Sequence, residues 1–173
     1  LSNGPVNNNR FVRNRIHRYS ASTSSEASGI GVFTGTNNFF LNNVVYRLTD
    51  PAKAAAVRIT GTTTLSNVFV NNIIFSNGPL AASCVGVTNS APGTRWVNND
   101  VFGNGANYRN STALAVSNGN LSANPIFSNA AAGNFRLSGP CPLSPVVDVG
   151  TTNLLTAYDA EPIVGLGRDV GAF

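Results

Sequence analysis

The sequence predicts an all-β solenoid of stacked parallel strands. Three observations carry the prediction: a repeat of 27 to 29 residues, alternation of apolar residues within it, and an asparagine at one fixed place in every copy. Four segments align without gaps. They are Phe11-Val12-Arg13-Asn14-Arg15-Ile16-His17, Phe40-Leu41-Asn42-Asn43-Val44-Val45-Tyr46, Phe69-Val70-Asn71-Asn72-Ile73-Ile74-Phe75 and Trp96-Val97-Asn98-Asn99-Asp100-Val101-Phe102. Asn14, Asn43, Asn72 and Asn99 stand 29, 29 and 27 residues apart.

A second repeated strand runs between them: Ile30-Gly31-Val32, Val57-Arg58-Ile59-Thr60, Val85-Gly86-Val87-Thr88 and Leu114-Ala115-Val116-Ser117. Helical repeats of this length need two amphipathic helices with apolar residues at 3.6 spacing. Here the apolar runs are short, alternate with period two, and are punctuated by Gly, Asn and Ser. Each strand therefore pairs with its copy in the next repeat, about 4.8 Å away.

Alternation assigns the faces. Val12, Ile16, Leu41, Val45, Val70, Ile74, Val97 and Val101 are expected inside. Asn14, Asn43, Asn72 and Asn99 fall on the same phase. A buried amide must be hydrogen-bonded or cost several kcal/mol, so these four are expected to form an internal ladder and to tolerate the left-handed bend between strands. The outward columns are then Phe11, Phe40, Phe69 and Trp96, and His17, Tyr46, Phe75 and Phe102. Such rows are too apolar to leave in water. Loops or the C-terminal residues cover them, or they form a protein interface or a platform for sugar rings.

With these residues in place, the chain resembles the right-handed parallel β-helix repeat proteins. The end of the chain sharpens the likeness: Asn124-Pro125-Ile126-Phe127, Gly133-Asn134-Phe135-Arg136-Leu137, Ser144-Pro145-Val146-Val147-Asp148-Val149-Gly150 and Arg168-Asp169-Val170-Gly171-Ala172-Phe173. It is similar to the C-terminal motif of bacterial secreted β-helix proteins of the choice-of-anchor type Q kind, with Asn124 and Asn134 where aspartate is usual. The resemblance implies about four coils over residues 1–123, a C-terminal cap over 124–173, and an extracellular or cell-surface location. Many enzymes on this fold are polysaccharide lyases or glycoside hydrolases.

Charge and chemistry narrow the function. The chain is 42% hydrophobic but only 10% charged, well below the usual ~25%. Its net charge is +4, with Arg10, Arg13, Arg15 and Arg18 crowded near the start and Lys53 the sole lysine. Nucleic-acid binders spread basic residues over a face with aromatic or glycine partners, so a basic end toward an acidic polysaccharide or a neighbouring subunit is the preferred reading. Glycosidases need paired carboxylates, and the repeat places none together. The candidates for catalysis reduce to Asp50, Arg58 and Asp100, with no triad partner for His17. No metal-ligand spacing and no cofactor motif are present.

Cys84 and Cys141 are compatible with one disulfide or with two buried thiols. Asn110-Ser111-Thr112 and Asn120-Leu121-Ser122 are candidate glycosylation sequons. No apolar run is long enough for membrane insertion. Leu1 opens on a polar stretch, which points to a natural N-terminus further upstream. A solenoid exposes strand edges at both ends, so self-association end to end, or union with upstream coils, is the expected partnership. The functional expectation is a structural or assembly module such as a surface scaffold, adhesin or filament subunit. The alternatives are the C-terminal part of a polysaccharide-degrading enzyme and a carbohydrate-binding surface.

Overall fold

The computed structural model describes residues 6–17, 28–47, 55–61, 63–77, 85–109, 118–138 and 143–151. These are all-β apart from one 3₁₀ turn, Ala130–Ala132. Three parallel four-stranded sheets each take one strand from each of four repeats. The first holds β1 (Arg10–Val12), β5 (Phe39–Leu41), β9 (Val68–Val70) and β12 (Arg95–Val97), in that order. The second holds β2 (Arg15–His17), β6 (Val44–Tyr46), β10 (Ile73–Phe75) and β13 (Asp100–Phe102). The third holds β3 (Ser28–Val32), β7 (Ala55–Ile59), β11 (Val85–Asn89) and β14 (Ala106–Arg109). A short pair, β4 (Gly35–Thr36) with β8 (Thr64–Leu65), continues the stacking at a corner.

Pairing is parallel because each strand lies beside its own copy, with the rest of a repeat as the crossover. The registers follow the sequence alignment: Phe11 pairs with Phe40, Phe40 with Phe69 and Phe69 with Trp96. Ile16, Val45, Ile74 and Val101 pair in the same way. One strand departs from expectation. The fourth member of the third sheet is Ala106–Arg109, whereas 114–117 lies outside the described residues. The fourth repeat turns its last corner at once through Gly103-Asn104-Gly105, so its third strand arrives early.

Bends between strands obey one rule, from which only Asn107 among the stacked asparagines named below departs. Each stacked polar residue follows a residue in the left-handed region: Asn8, Asn37, Ser66 and Gly93 precede Asn9, Asn38, Asn67 and Thr94, and Arg13, Asn42, Asn71 and Asn98 precede Asn14, Asn43, Asn72 and Asn99. Ser76 and Gly103 precede Asn77 and Asn104 in the same way, and Gly119 precedes Asn120. The sequence reading gave the left-handed role to the ladder asparagines themselves; it belongs to the residue before. Non-glycine residues cost about 1–2 kcal/mol there, least for asparagine, which explains the Asn-Asn pairs.

That bend also corrects the faces. Phe40, Phe69 and Trp96, expected outside, are buried in the same cluster as Val45, Ile74, Val101, Val57 and Ile59. Leu41, Val68 and Val70 form a separate cluster with Phe39 and Val97. The left-handed residue breaks strict alternation, so two residues separate Phe40 from the next inward side chain, Asn43. Past the bend, period two resumes and Val45 is inside as expected. The interior rings stack face to face, with centroids 4.8 Å apart for Phe11–Phe40 and 4.3 Å for Phe40–Phe69.

The C-terminal residues cover a flank. Antiparallel β15 (Phe127–Asn129) and β16 (Asn134–Leu137) lie on the outer face of the second sheet. Phe135 meets Tyr46 and His17 edge-on at 5.4 and 5.3 Å, and Phe127 meets Phe75 at 5.8 Å. Contacts with His17 reach repeat one, so this hairpin lies along the side of the stack; most of the remaining residues of the expected cap, 152–173, lie outside the described residues. Residues 149 and 151 then run along the bends, where Asn98 Nδ2 donates to the Val149 carbonyl (2.7 Å) and Asn71 Nδ2 to the Thr151 carbonyl (3.0 Å). The whole arrangement, parallel sheets around stacked buried asparagines, is consistent with a solenoid.

Candidate functional site

The central ladder determines what each end of the stack offers. Asn14 donates its backbone N–H and its Nδ2 to Asn43 Oδ1, both at 2.9 Å. Asn43 does the same to Asn72 at 2.9 and 2.8 Å, and Asn72 to Asn99 at 2.9 and 2.8 Å. Each Nδ2 also reaches back to the preceding strand, from Asn43 to the Phe11 carbonyl and from Asn72 to the Phe40 carbonyl, both at 2.9 Å. The ladder continues to Asn120, which accepts from Asn99. A buried amide thus has every polar atom occupied, which removes the penalty of burying it.

Two further ladders went unread in the sequence. Asn9, Asn38 and Asn67 form one, and Asn77, Asn104 and Asn107 form another. The first was legible, because its members repeat the 29-residue spacing five places before the ladder that was read. In the second, Asn77 and Asn104 keep the 27-residue spacing five places after Asn72 and Asn99, but Asn107, three residues from Asn104, has no repeat spacing to point to it.

The sheet orders leave β1, β2 and β3 together at one end of the stack. Phe11 is 39% exposed and Val12 37%, whereas Phe40 and Leu41, one repeat on, are buried. A cavity of about 420 Å³ opens there between Phe11, Ile16, Ile30, Val32 and Phe40. Its polar lining is Asn14, Thr34, Asn38 and Asn43. Arg10, Arg15 and His17 on the neighbouring strands β1 and β2 are exposed, and Arg13 between them is half-buried. Among the described residues this end holds an apolar cavity, and no strand pairs with the outer side of β1, β2 or β3. We take it as the candidate site.

Comparison with protein-family models, with curated proteins and with solved structures returns no match to this chain.

Of the catalytic candidates, Asp100 and Arg58 stand on different sheets. Asp100 is fully buried on the outer face of β13 beneath Leu121 to Ala123; its Oδ1 accepts from the Ala123 N–H at 2.9 Å and its Oδ2 has no hydrogen-bond partner. Burial, opposed only in part by the Ala123 bond, pushes its carboxyl up to about 7. Arg58 is half-buried on the third sheet, and Asp50 lies outside the described residues. Tyr108 is pushed up to about 12, mainly by burial, with the Trp96 indole lowering it and the Asp100 charge raising it. Neither the Tyr108 hydroxyl nor Trp96 Nε1 completes a hydrogen bond. Among the described residues no group of three or more His, Cys, Asp or Glu could hold a metal ion. No helix among them is long and apolar enough to cross a membrane.

The aromatic candidates are corrected by the same geometry. Phe40, Phe69 and Trp96 are interior, while Tyr46 and Phe75 lie under Phe135 and Phe127. Phe11 stacks on Phe40 and is the outermost interior ring among the described residues, and Phe102 stacks on Phe75 at 6.1 Å. Of the sequons, Asn110 lies outside the described residues. Asn120 is engaged: its Nδ2, the atom that would bear a glycan, donates to the Trp96 carbonyl at 2.9 Å. The fourth inner rung needs an asparagine there, so the sequon reading gives way to the ladder. Cys84 and Cys141 lie outside the described residues.

Proposed function

We propose that this chain is a right-handed parallel β-helix module with a structural role outside the cell, a rigid scaffold, adhesin or filament subunit that joins its partners through one end. The carrying observation is the asymmetry of its surfaces. The second sheet's apolar flank is covered by the chain's own hairpin, while among the described residues no strand pairs beyond β1, β2 and β3, where an apolar cavity lies. Edges of that kind are a template for strand addition. The interior ladders favour rigidity, since shifting one repeat breaks bonds on both sides of its asparagine.

An extracellular location is supported by the composition, poor in charge and rich in asparagine, and by the likeness of the C-terminal segments to secreted β-helix proteins. The enzymatic reading loses ground because Asp100 is buried with a backbone N–H as its one partner. Antibody labelling of intact producing cells tests the location, with label at the surface or in the medium as the expected result and label only after permeabilisation against it. Incubation with pectin, alginate and glycosaminoglycan tests the role. Unchanged polymer is expected. New chain ends that vanish in Asp100→Ala would replace the structural reading with a catalytic one.

A further inference from the structure

We propose that the Asp100 carboxyl is a pH-sensitive latch at the root of the cover over the second sheet. Neutral, it keeps the cover closed; ionised, it favours an open cover that bares the outer faces of Val44, Ile73, Tyr46 and Phe75. The latch acts on the molecule's own surface and needs no partner. Its position is the first argument. Leu121 is bridged in parallel to Asp100, and the chain runs from there through Ala123 to the hairpin of β15 and β16. Asp100 Oδ1 accepts the Ala123 N–H at 2.9 Å, so the carboxyl holds the cover where it leaves the stack. Ile73 and Val44 precede Asp100 in its column, fully buried in one cluster with Phe135 and Val146. The cover is seated by ring contacts, Phe135 on Tyr46 and Phe127 on Phe75. Contacts of that kind do not depend on pH. The carboxyl buried beside them does, and its Oδ2 has no hydrogen-bond partner.

A carboxylate taken out of water is costly unless it is paired. Ile73 of β10 and residues 121–123 bring no ionisable side chain to Asp100. Tyr108 of β14 feels the Asp100 charge, but it is itself pushed up to about 12, mainly by burial. The described charged residues of the cover, Arg136 and Asp148, do not enter the balance at Asp100, which is burial opposed by the Ala123 bond. His17 and Tyr46 lie under Phe135, at repeats one and two. Burial pushes the closed-state carboxyl up to about 7, whereas a hydrated one ionises near 3.8. Opening therefore releases a proton between those values. The closed cover keeps its full weight below pH 3.8 and loses it as pH rises through 7. Across that window the opening constant grows about tenfold per pH unit, and above it the constant levels off. The ladder asparagines do not titrate, so the stack beneath keeps its registers.

Amide hydrogen exchange on the full chain, divided by the intrinsic rate at each pH, tests the latch. From pH 5 to pH 8 the opening constant at the Ala123 amide should rise about a hundredfold. The Ile73 amide, bonded to the Asn43 carbonyl within the stack, should stay protected throughout. Asp100→Asn should hold the Ala123 value flat across the same range. Hydroxyl-radical oxidation of Phe75, located by peptide mapping, reads exposure of the flank directly. It should rise with pH in the wild type and stay flat in Asp100→Asn and in Asp100→Val, which repeats the residue at Val44 in the column. No rise in the wild type, or a rise of equal size in Asp100→Asn, overturns the latch. An equal rise at the Ile73 amide also overturns it, because the transition would then be unfolding of the whole stack.

Discussion

Replacing Asp100 with asparagine isolates the cost of holding one carboxylate inside a covered flank. In the unfolded chain the group ionises near 3.8, and in the folded chain near 7. Between those values the unfolded state releases a proton that the folded state keeps, so stability is full below pH 3.8 and falls as pH rises through 7. At about 1.4 kcal/mol per pH unit, the loss by pH 8 is about 4 kcal/mol. Asparagine keeps an acceptor for the Ala123 N–H and leaves its Nδ2 where Oδ2 now lacks a partner. At pH 3.5 the two proteins should agree to within about 1 kcal/mol, because both then bury one unpaired neutral group. At pH 8 the variant should be more stable by on the order of 2–4 kcal/mol. With a urea slope of roughly 2 kcal/mol per molar, its midpoint should rise by about 1–2 M. Subtracting the wild-type curve removes the other titrating groups. A variant that is less stable than wild type at pH 8, or a difference that does not change with pH, would refute the placement of this carboxyl.

Other substitutions probe the remaining parts of the fold. Asn72→Ala removes two donated and two accepted side-chain bonds inside the stack and should cost about 3–5 kcal/mol by urea unfolding, against under about 1 kcal/mol for exposed Asn14→Ala. Phe135→Ala opens the flank over Tyr46 and His17; it should cost about 3–4 kcal/mol and produce dye binding to exposed apolar surface at native pH. Gly35→Ala should cost about 2 kcal/mol or more in thermal melts, since Gly35 has φ +128° and a Cβ there would collide with the Val6 carbonyl oxygen.

The repeat was legible because the residues that define it, the ladder asparagine and the apolar positions after it, lie on the regular side of each bend. Val45, Ile74 and Val101 are inside as read. The error lay upstream of the bend, where period two was carried through a residue that is not extended. Asn42, Asn71 and Asn98 each have positive φ, and one such residue inverts the faces of the strand before it. A clue was present: stacked Phe, Phe, Phe and Trp suit an interior better than a surface, on burial grounds alone. Asp100 was noticed for its charge, but its covering by 121–123 depends on a non-repeating segment whose docking place no periodicity specifies. For the same reason Phe127 and Phe135 were seen as part of a terminal motif, while their seat on the second sheet was not. Asn120 matched a sequon by its neighbours' identity, and only the stacking revealed that its amide is already committed.

The most direct test is proton exchange at the asparagine side-chain amides, followed by nuclear magnetic resonance on the full chain. Asn43 and Asn72, each bonded above and below, should exchange their Nδ2 protons at least a thousandfold more slowly than an unfolded chain, with Asn14 far less protected. If all three exchange alike at the unfolded rate, the asparagines are not stacked in the interior, and both the fold and the site built on its open end are wrong.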